Sequence, residues 1–280
     1  MYAGLGRYVR FRSPANVIDE IISVAKRYTI KTVFFNDDIF ILDRKWLEQF
    51  LPLYRDTAGL PFCAQARADT LNEDIIKLLK EAGCRTVSFA IESGNEEIRK
   101  GILGKKITDD EIIKVAALLK KHGIRFATYN MVGIPGETVE DALKTVDINI
   151  KIGTDYPRCS FLTPYPGTRI AEYASKMGYL ETSIDSIVPF SQQSGSIIKL
   201  KDKNQIINIH SFFQTMVLFP AMRPFFRKLI KLPVNIFFRI WWAFFYIIIF
   251  TRSERRSFRD ILSFASRSLS SFLEKRDLRR

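Results

Sequence analysis

Cysteine and histidine are scarce in this 280-residue chain, which holds three of the first and two of the second. Cys63, Cys84 and Cys159 stand far apart in sequence, so neither a disulfide framework nor a CxxC metal clip is readable, and three reduced, buried thiols are expected. His122 stands beside Gly123 and His210 far along the chain, neither with a neighbour that would make a catalytic pair or a metal site. Residues 1–13 carry arginines and no apolar core segment, so no secretory signal opens the chain and a cytoplasmic setting is expected. Acidic residues are scarce only toward the end. Residues 1–180 hold 26 Lys+Arg against 23 Asp+Glu, whereas residues 181–280 hold 17 against 7. The basicity therefore belongs to the tail, where long apolar runs favour lipid over nucleic acid as the anionic partner.

What is present is a full complement of core-forming residues, 47% of the chain, enough for one α/β domain. Short apolar runs alternate with helix-length amphipathic segments from residue 14 to about residue 180, the signature of βα units. Helices are expected at Pro14–Arg27, with Ser13 as N-cap, and at Trp46–Thr57, Asn72–Ala82 and Thr108–His122, the last ended by Gly123. Strands are expected at Thr32–Phe35, Phe62–Ala66, Thr86–Ile91, Phe126–Val132 and Arg158–Leu162. Since parallel sheets built from right-handed crossovers normally begin on a strand, a chain that begins on a helix is expected to lack the first strand of its fold.

The strand ends are polar or rich in Gly and Pro: Asn36, Asp37 and Asp38; Arg67 and Asp69; Glu92, Ser93 and Gly94; Gly133, Pro135, Gly136 and Glu137; Pro164, Pro166 and Gly167. Ligands of such sheets gather at the carboxyl ends of strands. The turns Gly133–Thr138 and Pro164–Thr168 place Pro, Gly and a capping Thr where a strand gives way to a helix, which holds backbone N–H groups open toward a ligand.

In this order, the stretches Arg10–Glu20, Phe35–Phe40, Ala90–Gly94, Gly133–Thr138 and Pro164–Thr168 resemble the radical S-adenosylmethionine (SAM) superfamily. More narrowly, they resemble its cobalamin-binding class of anaerobic Mg-protoporphyrin cyclases and methyltransferases. The resemblance covers residues 7 to about 180 and implies a partial (βα)6 TIM-like barrel, here lacking its first strand. It implies SAM as cofactor, a 4Fe-4S cluster held by a CxxxCxxC loop, cobalamin in the full-length protein, and an electron-donor protein as partner. No such loop occurs in these 280 residues, so the chain is expected to be a truncated product or gene-model fragment without the cobalamin domain, first strand and cluster loop. By the same resemblance, Asp37 and Asp38 would meet the SAM amino group, Arg67 its carboxylate, and Glu92 with Ser93 and Gly94 its ribose. Gly133, Pro135, Gly136 and Glu137 would lie beside the adenine, with Pro164, Pro166 and Gly167 closing the wall.

Residues 196–280 read as a second unit, a basic and apolar helical tail, after a 1–195 core. Met222, Phe225, Phe226, Leu229 and Ile230 share one helical face, opposite Arg223, Arg227, Lys228 and Lys231. The 11-residue run Ile240–Phe250 follows, with Arg239 before it and Arg252, Arg255 and Arg256 after it. Helical, that run covers about half of a roughly 30 Å hydrocarbon core, so a segment lying in the interface at the inner face of a membrane is expected rather than a span. The function read from the whole is radical SAM chemistry on a small-molecule, lipid or other hydrophobic substrate. The alternative is an inactive, membrane-docked interaction protein that keeps a SAM-shaped pocket.

Overall fold

The computed structural model describes residues 9–184 and 195–254. Five parallel strands lie side by side in chain order: β1 (Val33–Phe35), β2 (Phe62–Gln65), β3 (Cys84–Glu92), β4 (Arg125–Val132) and β5 (Tyr156–Phe161). The crossovers are α2 (Arg44–Thr57), α3 (Glu73–Glu81), α4 (Asp109–Lys121) and α5 (Val139–Ile152); α1 (Pro14–Ala25) precedes β1 and α6 (Arg169–Lys176) follows β5. An open sheet of this order, every neighbour parallel, is the expected partial barrel.

The helices start where side chains can satisfy their orphan N–H groups. Ser13, Asp43, Asn72 and Thr168 accept bonds from the first turns of α1, α2, α3 and α6, while Thr108 with Glu111 and Thr138 with Asp141 form reciprocal capping boxes on α4 and α5.

Alternation along the strands separates two faces. Val87, Phe89 and Ile91 of β3, Thr128, Asn130 and Val132 of β4, and Cys159 and Phe161 of β5 are buried, whereas Ser88, Ala90, Glu92, Tyr129, Met131, Arg158 and Ser160 are only half-buried. The first set faces the helices; the second lines the concave inside of the half-barrel.

Three further helices close the β5 side: α7 (Lys203–Leu218), α8 (Arg223–Leu229) and α9 (Ile236–Glu254). Ile206, Ile209, Phe212, Phe213 and Met216 of α7 share a core with Val132, Leu143, Val146 and Phe161. The face expected at Met222–Ile230 is divided: Phe226 and Ile230 are buried while Met222 and Phe225 are exposed, and Arg223 and Arg227 turn to Asp147 (2.6 Å) and Glu140 (2.5 Å) of α5. The Ile240–Phe250 run lies within the 19-residue α9. Arg255 and Arg256 lie outside the described residues.

Candidate functional site

A pocket of about 600 Å³ opens at the carboxyl ends of the strands over β1–β4, lined by Asp38, Gln65, Arg67, Asp69, Ser88, Lys105 and Tyr129 among others. Of the residues expected to face a ligand, Asp38 and Arg67 are in this wall; Asp37 is exposed beside it. Arg67 presents its planar fork to Asp69, with Nε to Oδ1 at 3.0 Å and Nη2 to Oδ2 at 2.6 Å, a bidentate pair at the pocket lip. Its side chain is 60% exposed, so this pair is open to exchange with a ligand carboxylate.

Glu92 reaches the same pocket through Lys105, with which it forms an ion pair. It is the one non-glycine residue with positive φ, 69°, among those described, and it stands where the β3–β4 register shifts. A bulge at the end of a strand re-aims a side chain, and here it turns the carboxylate toward the segment Leu103–Ile107. Lys105 and Lys106, both exposed, line the pocket. Their approach depends on Arg99, wholly buried, which donates from Nη1 to the Ser93 carbonyl (2.6 Å) and from Nε to the Ile107 carbonyl (3.2 Å), and pairs with Asp109. No local pattern marked this residue, because the groups its guanidinium hydrogen-bonds lie six to ten positions away.

Ser93 and Gly94 brace the loop rather than line the pocket. Ser93 Oγ accepts from the Asn95 N–H (3.2 Å), and the Gly94 N–H donates to Thr145 Oγ1 (2.8 Å) on α5. A Cβ at position 94 would fall 2.2 Å from the Lys144 carbonyl carbon and oxygen, so glycine is required here by strand-loop contact with a helix.

The Gly133–Glu137 turn is filled from within. Glu137 Oε2 accepts from the Gly133 N–H (2.6 Å) and the Ile134 N–H (3.2 Å), taking two amides that an open turn would offer to a ligand. Burial outweighs these donors and pushes the Glu137 carboxyl up to about 8. Gly133 faces Ser196 and Phe161, and Gly136 faces the Tyr179 hydroxyl; neither they nor Pro135 line the rim pocket. Pro164, Pro166 and Gly167 likewise stand apart from it, in the turn that Thr168 closes by bonding the Tyr165 carbonyl (2.6 Å) and capping α6. Tyr129 faces the pocket, and Arg158 lies over its ring at 5.6 Å.

The cysteines do not form a cluster site. Cys63 pairs near the start of β3, Cys84 is the first residue of that strand, and Cys159 lies in β5; all three are buried. Burial raises the Cys84 and Cys159 thiols well above the usual range, the reverse of what thiolate ligation needs. Among the described residues no group of His, Cys, Asp and Glu could hold a metal ion, so the residues present do not fit an iron–sulfur cluster.

A half-barrel of parallel strands with an ionic pocket at their carboxyl ends defines an α/β enzyme-type fold with a rim site. Residues 2–148 match the Radical SAM superfamily, and the chain belongs to it. An uncharacterised methyltransferase from Pyrococcus horikoshii is 35% identical over 170 residues, covering 60% of this chain and 37% of that one. Bacteriochlorophyllide d C-12(1)-methyltransferase of Chlorobaculum tepidum is 25% identical over 58% of this chain and 36% of its own. The chain thus spans little more than a third of these relatives. Among solved structures, the radical SAM methyltransferase TsrM of Kitasatospora setae, with cobalamin and a [4Fe-4S] cluster bound, superposes with a TM-score of 0.52 at 24% identity, over 61% of this chain and 35% of that one. That likeness concerns the fold.

Proposed function

We propose that this chain binds SAM in the rim pocket and is the SAM-binding part of a radical SAM methyltransferase that acts on a hydrophobic or membrane-associated substrate. The observation that carries the reading is the pocket itself: its size suits a nucleoside-bearing ligand, and it sets carboxylates and cations side by side at the strand ends of a superfamily member. SAM is zwitterionic at its methionyl end, so it needs one acceptor and one donor cluster. Asp38, exposed at the lip, accepts from the ammonium, while Arg67, exchanging Asp69, or Lys106, which has no acidic partner among the described residues, holds the carboxylate. Glu92, steadied by Lys105, accepts from the ribose hydroxyls. When bound, SAM supplies the methyl group or the 5'-deoxyadenosyl radical of the family's chemistry. Cluster thiolates, cobalamin and an electron donor belong to the whole protein, since the three cysteines here do not fit that role.

Methyl transfer is supported by the Pyrococcus and Chlorobaculum methyltransferases named above, and a hydrophobic substrate by the apolar, cationic surface of α8 and α9. A cytoplasmic protein held peripherally at the membrane's inner face fits both. The test is equilibrium dialysis of the chain against labelled SAM. Saturable binding, weakened at least tenfold by Asp38→Ala combined with Arg67→Ala in a protein of unchanged circular dichroism, is expected. Binding unaffected by that pair of substitutions refutes the assignment.

A further inference from the structure

Helix α9 turns two different faces to its surroundings. One is bonded to the protein along its length: Phe238 meets Phe212 at 4.7 Å, Trp242 stacks on His210 at 5.5 Å, Ile249 is buried with Ala127 and Tyr156, and Ser253 Oγ accepts from Arg158 Nη2 at 3.0 Å. Trp241 Nε1 adds a bond to Thr215 Oγ1 at 2.8 Å from the margin of that face. The other face carries Ile236, Phe237, Ile240, Trp241, Phe244 and Ile247, all exposed, Phe237 at 76%. At about 100° per residue these six occupy one continuous arc, with Arg239 on one flank and Arg252 on the other. Phe225 of α8, exposed and beside Phe226 under Trp241, extends the patch. Arg239, Arg252, Lys228 and Lys231 are exposed and have no acidic partner among the described residues.

We infer that α9 docks this chain onto an anionic lipid surface lying in the plane of the interface, with the Phe237–Phe244 face in the acyl boundary and the flanking arginines at headgroup phosphates. The inference rests on the membrane-associated part of the reading above and specifies its geometry. By length and composition Ile236–Ser253 could cross a bilayer. Crossing, however, would draw the bonded face through hydrocarbon, breaking the contacts to Thr215, His210 and Arg158, and would carry Arg239 inward. Lying flat keeps every one of these contacts and buries only the arc that the protein leaves open. The cationic flanks select the occupant: they repel a second copy of this basic surface and complement anionic lipid.

The test is co-flotation of the full chain with vesicles of phosphatidylglycerol mixed with phosphatidylcholine, against phosphatidylcholine alone. Flotation is expected only with the anionic lipid, weaker at high salt, released by alkaline carbonate, and reduced at least about tenfold by Phe237→Glu with Phe244→Glu. Lysine-to-glutamate changes at Lys228 and Lys231, on the exposed surface, should reduce it as well. No flotation on the anionic vesicles, flotation unchanged by the phenylalanine pair, or resistance to carbonate overturns the inference. So does a lipid-free dimer that the same pair converts to monomer, which would assign the face to a second copy. Dialysis against SAM on the same preparations separates the two readings: SAM binding without flotation refutes docking alone, and flotation without SAM binding refutes the rim-site assignment alone.

Discussion

Replacing Arg99 by methionine tests how the rim pocket is held open. The guanidinium is wholly buried and serves two backbone carbonyls, those of Ser93 and Ile107, together with the carboxylates of Asp109 and, at 3.6 Å, Glu96. Methionine fills much of the volume but donates nothing. Two carbonyls then lose their donor at about 1–3 kcal/mol each, and Asp109 loses its buried partner; the cost of breaking a buried pair is about 3–5 kcal/mol in all, since the contributions overlap. For a chain of this size each kcal/mol moves the melting midpoint by roughly 2–4 °C, so a fall on the order of 10 °C is expected by circular dichroism. SAM affinity should fall too, because Lys105 and Ile107 line the pocket through the loop that Arg99 ties. Arg55→Ala, which removes an exposed pair with Asp56, is the control and should change neither reading. A midpoint lowered by less than about 2 °C in Arg99→Met would refute the view that this cation organises the loop.

Two other perturbations follow from the packing. Gly94→Ala drives a methyl into the Lys144 backbone and should cost about 2 kcal/mol or more in urea unfolding, whereas Gly104, which faces open space but has φ of 67°, should suffer only the smaller strain of a left-handed alanine. His210 is buried between Phe161 (4.2 Å) and Trp242, and burial lowers its pKa from 6.5 to about 4. The unfolded chain therefore takes up this proton first. Relative to His210→Phe, the wild type should lose about 3 kcal/mol of stability as pH falls from about 6.5 to about 4. The comparison with the variant removes the opposing slope of Glu137, whose raised pKa favours the folded state on acidification; an unchanged difference across that range would show that His210 is not buried neutral.

Much of the fold was legible because the βα units are locally patterned. Thr86–Ile91 is found within the strand Cys84–Glu92, and Gly123 ends α4 in the left-handed region. Within the expected helical tail the bounds of α7 were not legible: its polar residues Asn208, His210, Ser211 and Gln214 are all buried, so no polar face exists to reveal a period. The site was legible in part. Asp38, Arg67 and Glu92 stand at strand ends, where topology alone puts ligand-facing groups. Whether a strand-end turn is open to a ligand depends on contacts that sequence does not order: Glu137 folds back on Gly133, and Gly94 spends its missing side chain on α5. Lys105 joins the pocket only because Arg99 folds its loop over Glu92.

The central claim, that SAM occupies the pocket over β1–β4, is tested most directly by amide hydrogen exchange of the chain with and without saturating SAM. The account predicts slowed exchange in residues 38–39, 65–69 and 103–107, segments that line the pocket. Exchange unchanged in all three segments, with or without protection elsewhere on the chain, would contradict it.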